Sequence, residues 1–441
     1  MTDRNTDDLP HELADWITKP FARFLKIEAA AGGLLLLAVL LALTLANSSW
    51  SMPFLRFWET PVGFHFGALE FSRSLRHWIN DGLMTFFFFV ISLELKRESV
   101  LGELRNIRTA ALPFVAALGG MIVPVSVYLA LMVGQPGMHG WGSVMATDTA
   151  FVIGCLALFG SRVPAALRLF LLSLAIFDDV GAILVVAIGY GDGLNWLALG
   201  LGALGLGAVA GIARLGIRSL SVYFGLGAFV WLCFDASGIH ATIAGVILGL
   251  MTPTRIWLSD TRLRVILGRV LAYPGGESPD TADRDELKKA GRAVRESLSP
   301  LERLEMMLHP WVAFIVMPLF ALANAGVVIT EAGLSQPVSL AIFAGLVLGK
   351  PIGVFSFSWL AVRLKLATRA GTLSWPILAA GAFLTGIGFT MSLFIAELAY
   401  ARTMLDPAKL GILTGSVCSA AIGLLTLAWV TRRKRAAPDL E

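Results

Sequence analysis

Apolar runs of about twenty residues recur along the chain, separated by short polar or glycine-containing breaks. That is the length an α-helix needs to cross a hydrocarbon layer of about 30 Å. The runs fall near 29–47, 78–96, 109–133, 141–160, 168–190, 194–213, 220–236, 239–252, 306–329, 338–362, 374–400 and 410–430. The pattern predicts an all-α polytopic membrane protein with about twelve transmembrane helices. The run at 239–252 is short and contains glycine, so a tilted or partial span is expected there.

The polar breaks carry an orientation. Lys96, Arg97, Arg105 and Arg108 follow the second run, Arg162 and Arg168 flank the fourth break, and Arg214 and Arg218 follow the sixth run. Arg363, Lys365 and Arg369 follow the tenth run, and Arg432, Arg433, Lys434 and Arg435 close the last. The alternate breaks, such as 134–140, 191–195 and 330–336, hold no lysine or arginine. Basic loops stay in the cytoplasm, which places both termini inside. One external break, 47–77, contradicts the rule with Arg56, Arg73 and Arg76. A polar stretch, Tyr273–Arg303, interrupts the chain between the eighth and ninth runs and is expected to be a solvated cytoplasmic insert. The expected division is therefore a cytoplasmic segment 1–28, a membrane domain 29–432 with the insert 273–303, and a cytoplasmic tail 433–441.

Composition agrees with this. Of 441 residues 56% are hydrophobic and only 15% charged, with a mean hydropathy of +0.75; soluble domains carry about 25% charged residues. The net charge of +4 is modest and concentrated in short loops, so no nucleic-acid partner is expected. Cys155, Cys233 and Cys418 each lie inside an apolar run, with no disulfide or metal-ligand spacing. The acidic start, MTDRNTDDLPHELADW, is unlike a cleavable signal, so the first run is expected to stay as a membrane helix.

Against this background four charges stand out. Asp178 and Asp179 are adjacent in the middle of the fifth run, Asp148 follows Thr147 in the fourth, and Lys350 lies between Gly349 and Pro351 in the tenth. An ionised side chain at bilayer depth costs at least about 2.5–3.5 kcal/mol, and two adjacent carboxylates also repel. Such groups persist where they are compensated or where their charging is the function. Neighbours on a helix point about 100° apart, so the two aspartates take different roles: one facing a cation, the other facing Lys350. Na⁺ prefers oxygen ligands such as carboxylate, threonine hydroxyl and carbonyl. A carboxylate that holds either a proton or such a cation is the core of an exchanger.

Weak internal similarity points the same way. Thr147-Asp-Thr-Ala-Phe151 shares its Thr-x-x-x-Phe spacing with Thr385-Gly-Ile-Gly-Phe389, and LGGMIVPVSVYLA of the third run resembles LGKPIGVFSFSWLA of the tenth. Inverted-topology repeats with broken helices crossing at the midplane are expected. Glycine and proline around Lys350, and the glycines after Thr385, predict irregular backbone at both places.

A second charged group lies at the expected cytoplasmic ends: Glu94, Lys96, Arg97 and Glu98 after the second run, and Glu305 with His309 on one helical face at the start of the ninth. Histidine titrates near neutrality, so this mouth is a candidate pH-responsive site; an ordinary charged membrane boundary is the plainer reading. His240 and Asp81 are weaker candidates near other span ends. Three alternatives compete. Gly189-Tyr-Gly-Asp192 matches the GxGD string of intramembrane aspartyl proteases, but Asp192 falls in an external turn. Gly345-Leu-Val-Leu-Gly-Lys350 looks like a phosphate loop with too short a spacing and proline where serine or threonine is needed. A passive cation channel would conduct without proton counter-flow.

The stretches WINDGLMTFFFFVISLELKRE (78–98), ATDTAF (146–151), GSRVPAALRLFLLSLAIFDDVGAI (160–183), SGIHATIAGVILG (237–249), LHPWVAFIVMPLFALANAGV (308–327), LGKPIG (348–353) and GIGFTMSLFIA (386–396) resemble the NhaA family of bacterial Na⁺/H⁺ antiporters. That family is itself a standing example of the inverted-repeat architecture. The resemblance implies electrogenic, pH-regulated exchange of cytoplasmic Na⁺, and also Li⁺, for external H⁺ across the inner membrane, without enzymatic activity or a cofactor. It makes Asp178 and Asp179 the ion- and proton-carrying pair, with Asp179 the principal cation ligand and Asp178 the partner of Lys350. It assigns Asp148 and Thr147 to the crossing of broken helices, and Glu94, Arg97, Glu98, Glu305 and His309 to pH control. It also suggests a homodimer contact through the 47–77 loop. Two departures stand out: Met306 replaces an expected histidine, and the Tyr273–Arg303 insert is longer than expected.

Overall fold

The computed structural model describes residues 28–436 apart from 67–68, 103–104, 106, 191–192, 216–219, 255–263, 267, 269–290, 292–297 and 372. Almost the whole of the 273–303 insert, and all of segment 1–27, therefore lie outside the described residues. Every predicted run coincides with a helix or an interrupted helix. These are α1 (Glu28–Ala46), followed by the short α2 (Ser51–Trp58), α3 (Leu75–Val100), α4 (Ile107–Leu131), a 3₁₀ segment (Met138–Val144) continued by α5 (Thr149–Ala157), and α6 (Ala165–Gly189). There follow α7 (Trp196–Arg214), α8 (Leu220–Ser237), α9 (Thr242–Met251), α10 (Pro300–Asn324), α11 (Pro337–Arg363), the pair α12 (Trp375–Thr385) and α13 (Phe389–Ala399), and α14 (Arg402–Ala436). Among the described residues seven helices are long and apolar enough to span a bilayer, or nine if each of two bent pairs counts as one span.

The outer helices have no polar stripe. In α1, Leu36, Leu37, Leu40 and Leu41 are exposed while Leu35, Val39 and Ala42 are buried, as a helix must be when lipid rather than water covers its far side. The structure adds one element the sequence did not suggest. Within 47–77 the chain forms a two-stranded antiparallel hairpin, β1 (Pro61–Phe66) with β2 (Leu69–Ser74), pairing Val62 with Arg73. The hairpin is tied to α3 by Trp78, whose indole N–H donates to the Val62 carbonyl at 2.8 Å. Two of the three arginines that break the loop-charge rule have acidic partners here. Arg73 reaches Asp235 at 3.3 Å, and Arg76 lies between Glu59 at 3.4 Å and Glu397 at 3.7 Å. Charges fixed to acidic partners do not act as free topogenic signals.

Three long helices carry a widened π turn, and each has an identifiable cause. In α11 the turn spans Gly345–Gly349, and in α10 it spans Val312–Val316. Both are followed two residues later by a proline, Pro351 and Pro318, which has no N–H to give the carbonyl four residues back. In α3 the turn spans Trp78–Leu83, and there the Asp81 carbonyl is taken by the Thr85 hydroxyl and the Trp231 indole. The backbone before Lys350 is thus irregular as expected, but it remains helical: the chain widens without unwinding, because a π turn still closes most of its hydrogen bonds. The phosphate-loop reading fails for the same reason, since Gly345 and Gly349 are buried in a helix.

Helix α11 is seated against α4 at a glycine contact. A Cβ on Gly353 would lie 2.1 Å from the Gly119 carbonyl oxygen, so the two backbones touch. These glycines belong to the two stretches whose sequences resemble each other, and the contact fixes where Lys350, one turn away, projects.

Candidate functional site

Two of the predicted spans are broken, and they cross at the breaks. The fourth span leaves its 3₁₀ segment at Val144, runs extended through Ala146–Asp148, and resumes as α5. The eleventh stops at Thr385 and resumes at Phe389, with a bend of 42°. The Asp148 amide donates to the Ile387 carbonyl at 2.7 Å, and the Thr147 hydroxyl donates to the Thr385 carbonyl at 3.0 Å. Each break therefore satisfies backbone groups that the other exposes, which a bilayer interior demands.

The charges sit on this crossing. Asp148 is the N-cap of α5, its Oδ1 accepting from the Phe151 amide at 3.2 Å. Its Oδ2 accepts from the Thr390 amide at 3.0 Å, in the first turn of α13, and from the Thr390 hydroxyl. One carboxylate thus caps two half-helices whose N-termini meet. Each N-terminus carries about +0.5 charge, so the pair offsets roughly one negative charge. Lys350 takes the opposite ends: its ammonium donates to the Met145 carbonyl, where the 3₁₀ segment finishes, and lies 2.9 Å from Asp178 Oδ2. The same Oδ2 accepts from the Thr147 hydroxyl at 2.6 Å. Asp178 and Lys350 are both 0% exposed, and Asp148 and Thr147 are 1% exposed.

Asp179 is different. It is 6% exposed, its Oδ1 has no hydrogen-bond partner, and Asp178 Oδ1 is likewise unpartnered. Asp148 is offset by helix ends and Asp178 by Lys350, whereas among the described residues Asp179 forms no ion pair. A carboxylate oxygen left free in this way is the kind of donor that a hard cation takes.

The second predicted cluster also assembles. Arg97 forms ion pairs with Glu305 and, at 3.0 Å, with Glu98, while His309 is exposed one turn from Glu305 on α10. Glu305 is 8% exposed and Met306 66% exposed. Sequence reasoning missed Thr390, Ile387 and the Met145 carbonyl. The GIGFT string contained Thr390, but nothing in a linear pattern says which helix end an aspartate will cap. It also missed Asn80 and Asn324, buried and bonded to each other at 2.7 Å between α3 and α10. Of the protease string, Gly191 and Asp192 lie outside the described residues, and Gly189 is the last residue of α6.

Broken helices that cross in a bundle interior, with dipoles neutralised by buried charges and carboxylate oxygens left free, define a polytopic membrane protein of the secondary-transporter kind. Comparison with known proteins narrows this. The sequence profile described as Na⁺/H⁺ antiporter 1 matches residues 22–427. A Na⁺/H⁺ antiporter NhaA of Rhizobium meliloti is 63% identical over 97% of this chain and 98% of its own length. Na⁺/H⁺ antiporter NhaA 2 of Acidiphilium cryptum is 61% identical over 98% of both chains, and NhaA 2 of Vibrio vulnificus 52% identical over 98% and 97%. A solved sodium proton antiporter, MjNhaP1 from Methanocaldococcus jannaschii, aligns over 95% of both chains with a TM-score of 0.47 at 14% identity, a likeness that adds nothing to these matches. The chain belongs to the Na⁺/H⁺ antiporter 1 family.

Proposed function

We propose that this chain exchanges cytoplasmic Na⁺, and also Li⁺, for external H⁺, with Asp179 as the group that alternates between the two. One observation carries the reading: Asp179 is buried next to the helix crossing and its Oδ1 has no hydrogen-bond partner. A carboxylate so placed is stable only with a cation or a proton bound. The two occupants exclude each other, and alternating access then couples their fluxes. Electrogenic exchange requires a further proton site, for which the adjoining Asp178–Lys350 pair is the candidate. No cofactor and no catalytic step are needed, since the proton gradient supplies the work. A protease or a passive channel leaves the neutralised crossing and Lys350 without a role.

In this reading the chain lies in the bacterial inner membrane with both termini cytoplasmic, as the loop charges indicate. Glu94, Arg97, Glu98, Glu305 and His309 set the pH at which cytoplasmic Na⁺ gains access. The hairpin within 47–77 is the proposed homodimer contact. Na⁺-induced collapse of a pH gradient in everted vesicles tests the assignment. Asp179→Asn abolishes it, because an amide neither binds the cation nor releases a proton; retained turnover would refute the role.

A further inference from the structure

Away from the crossing, at the N-terminal end of α3, three side chains converge that are not part of the proposed exchange site. His77 Nε2 lies 3.1 Å from Asp81 Oδ2 and 3.8 Å from Asp235 Oδ1. The three donor atoms all fall within 4.8 Å of one another. His77 and Asp81 are one turn apart where α3 widens into its π turn, and Asp235 comes from the last turn of α8. We propose that His77, Asp81 and Asp235 form a binding site for a divalent transition-metal ion of the Zn²⁺ class.

The geometry and the surroundings both favour it. Zn²⁺ binds nitrogen and oxygen at about 2.0–2.2 Å in a tetrahedron, which separates neighbouring donors by about 3.3–3.5 Å. The two histidine–carboxylate separations bracket that value. His77 Nε2 is buried and makes no aligned hydrogen bond, despite standing between two carboxylates. The site is prepared from outside as well. Arg73 occupies the other oxygen of Asp235, Oδ2, at 3.3 Å, and so turns Oδ1 toward His77. Ser74 accepts from the His77 amide at 3.2 Å and fixes the start of the helix. Trp231, one turn before Asp235, donates to the Asp81 carbonyl at 3.3 Å and to Thr85 Oγ1 at 2.9 Å, and its ring stacks on Trp78 with centroids 6.0 Å apart. Such outer-shell contacts orient ligands before a metal arrives. The side chains are reachable, at 35% exposure for His77 and 13% and 12% for the two aspartates. Three protein ligands leave a fourth position to water. The bound ion would join α3 to α8 next to the hairpin.

Purified full-length protein titrated with Co²⁺ gives the test, since tetrahedral Co²⁺ absorbs in the visible and octahedral aqueous Co²⁺ barely does. One Co²⁺ per chain should develop that absorption, and Zn²⁺ should displace it. His77→Gln and Asp235→Asn should each weaken Co²⁺ binding by at least about tenfold while retaining Na⁺/H⁺ exchange measured without added metal, which shows that they fold. Absence of the tetrahedral band in the parent chain, or equal affinity in parent and variants, would overturn the proposal and leave the three residues as an ion-pair cluster only.

Discussion

Replacing Lys350 by methionine removes the ammonium but keeps most of the side-chain volume. Two groups are affected: Asp178 Oδ2, 2.9 Å away, loses its counter-charge and keeps only the Thr147 hydroxyl, and the Met145 carbonyl at the end of the 3₁₀ segment loses the ammonium. Both partners of the pair are 0% exposed, so water cannot take its place. Breaking a buried pair from one side costs about 3–5 kcal/mol, and the orphaned carbonyl adds about 1–3 kcal/mol. Lys350→Met should therefore destabilise by about 4–8 kcal/mol. Asp178→Asn alone should cost about 3–5 kcal/mol, because the ammonium then stands unpaired. The double variant is neutral on both sides, and its asparagine still accepts from Thr147, so it should lie within about 2–3 kcal/mol of the parent. Denaturation midpoints of the four proteins in one detergent measure this cycle, and exchange in proteoliposomes is read beside it. Stability should return in the double variant and exchange should not. Single variants that each cost under about 1 kcal/mol, or a double variant whose loss equals the sum of the singles, would refute the coupling.

Further expectations follow from the same geometry. Asp148→Ala uncaps both half-helices, losing about 1 kcal/mol per cap and up to about 2 kcal/mol of dipole compensation; a thermal midpoint equal to the parent's would show that the crossing does not depend on that carboxylate. Gly353→Ala forces α11 away from Gly119 at about 1–3 kcal/mol and displaces Lys350, so exchange should fall more than expression does. Arg97→Ala removes the ion-pair partner of Glu98 and Glu305. The pH profile of exchange should shift, and an unmoved profile would remove the cluster from pH control. Deleting 278–292 should leave exchange intact, and its loss would give the insert a role.

Much of this was legible in the chain because a bilayer leaves few options. All twelve runs correspond to helices or interrupted helices, and Asp148, Asp178, Asp179, Thr147 and Lys350 converge, since charge at such depth has nowhere else to go. What stayed hidden depends on three-dimensional partners. Glycine beside Lys350 suggested loosened backbone, but Pro351 acts on one carbonyl only and the helix absorbs the loss in a π turn. The breaks instead fall where two spans cross and can exchange backbone hydrogen bonds, as Asp148 and Ile387 do. The hairpin escaped notice because its strands, though alternating, are only six residues each and lie between two long apolar runs. The acidic partners of Arg73 and Arg76, Asp235 and Glu397, lie far away in sequence and could not be read from the 47–77 stretch.

Proton release on adding Na⁺ to the purified protein in weakly buffered solution tests the central claim most directly. If one carboxylate holds either ion, Na⁺ displaces protons from the parent chain, and Asp179→Asn releases none while remaining folded. Undiminished release from Asp179→Asn, or Na⁺ binding to the parent chain with no proton set free, would contradict the account.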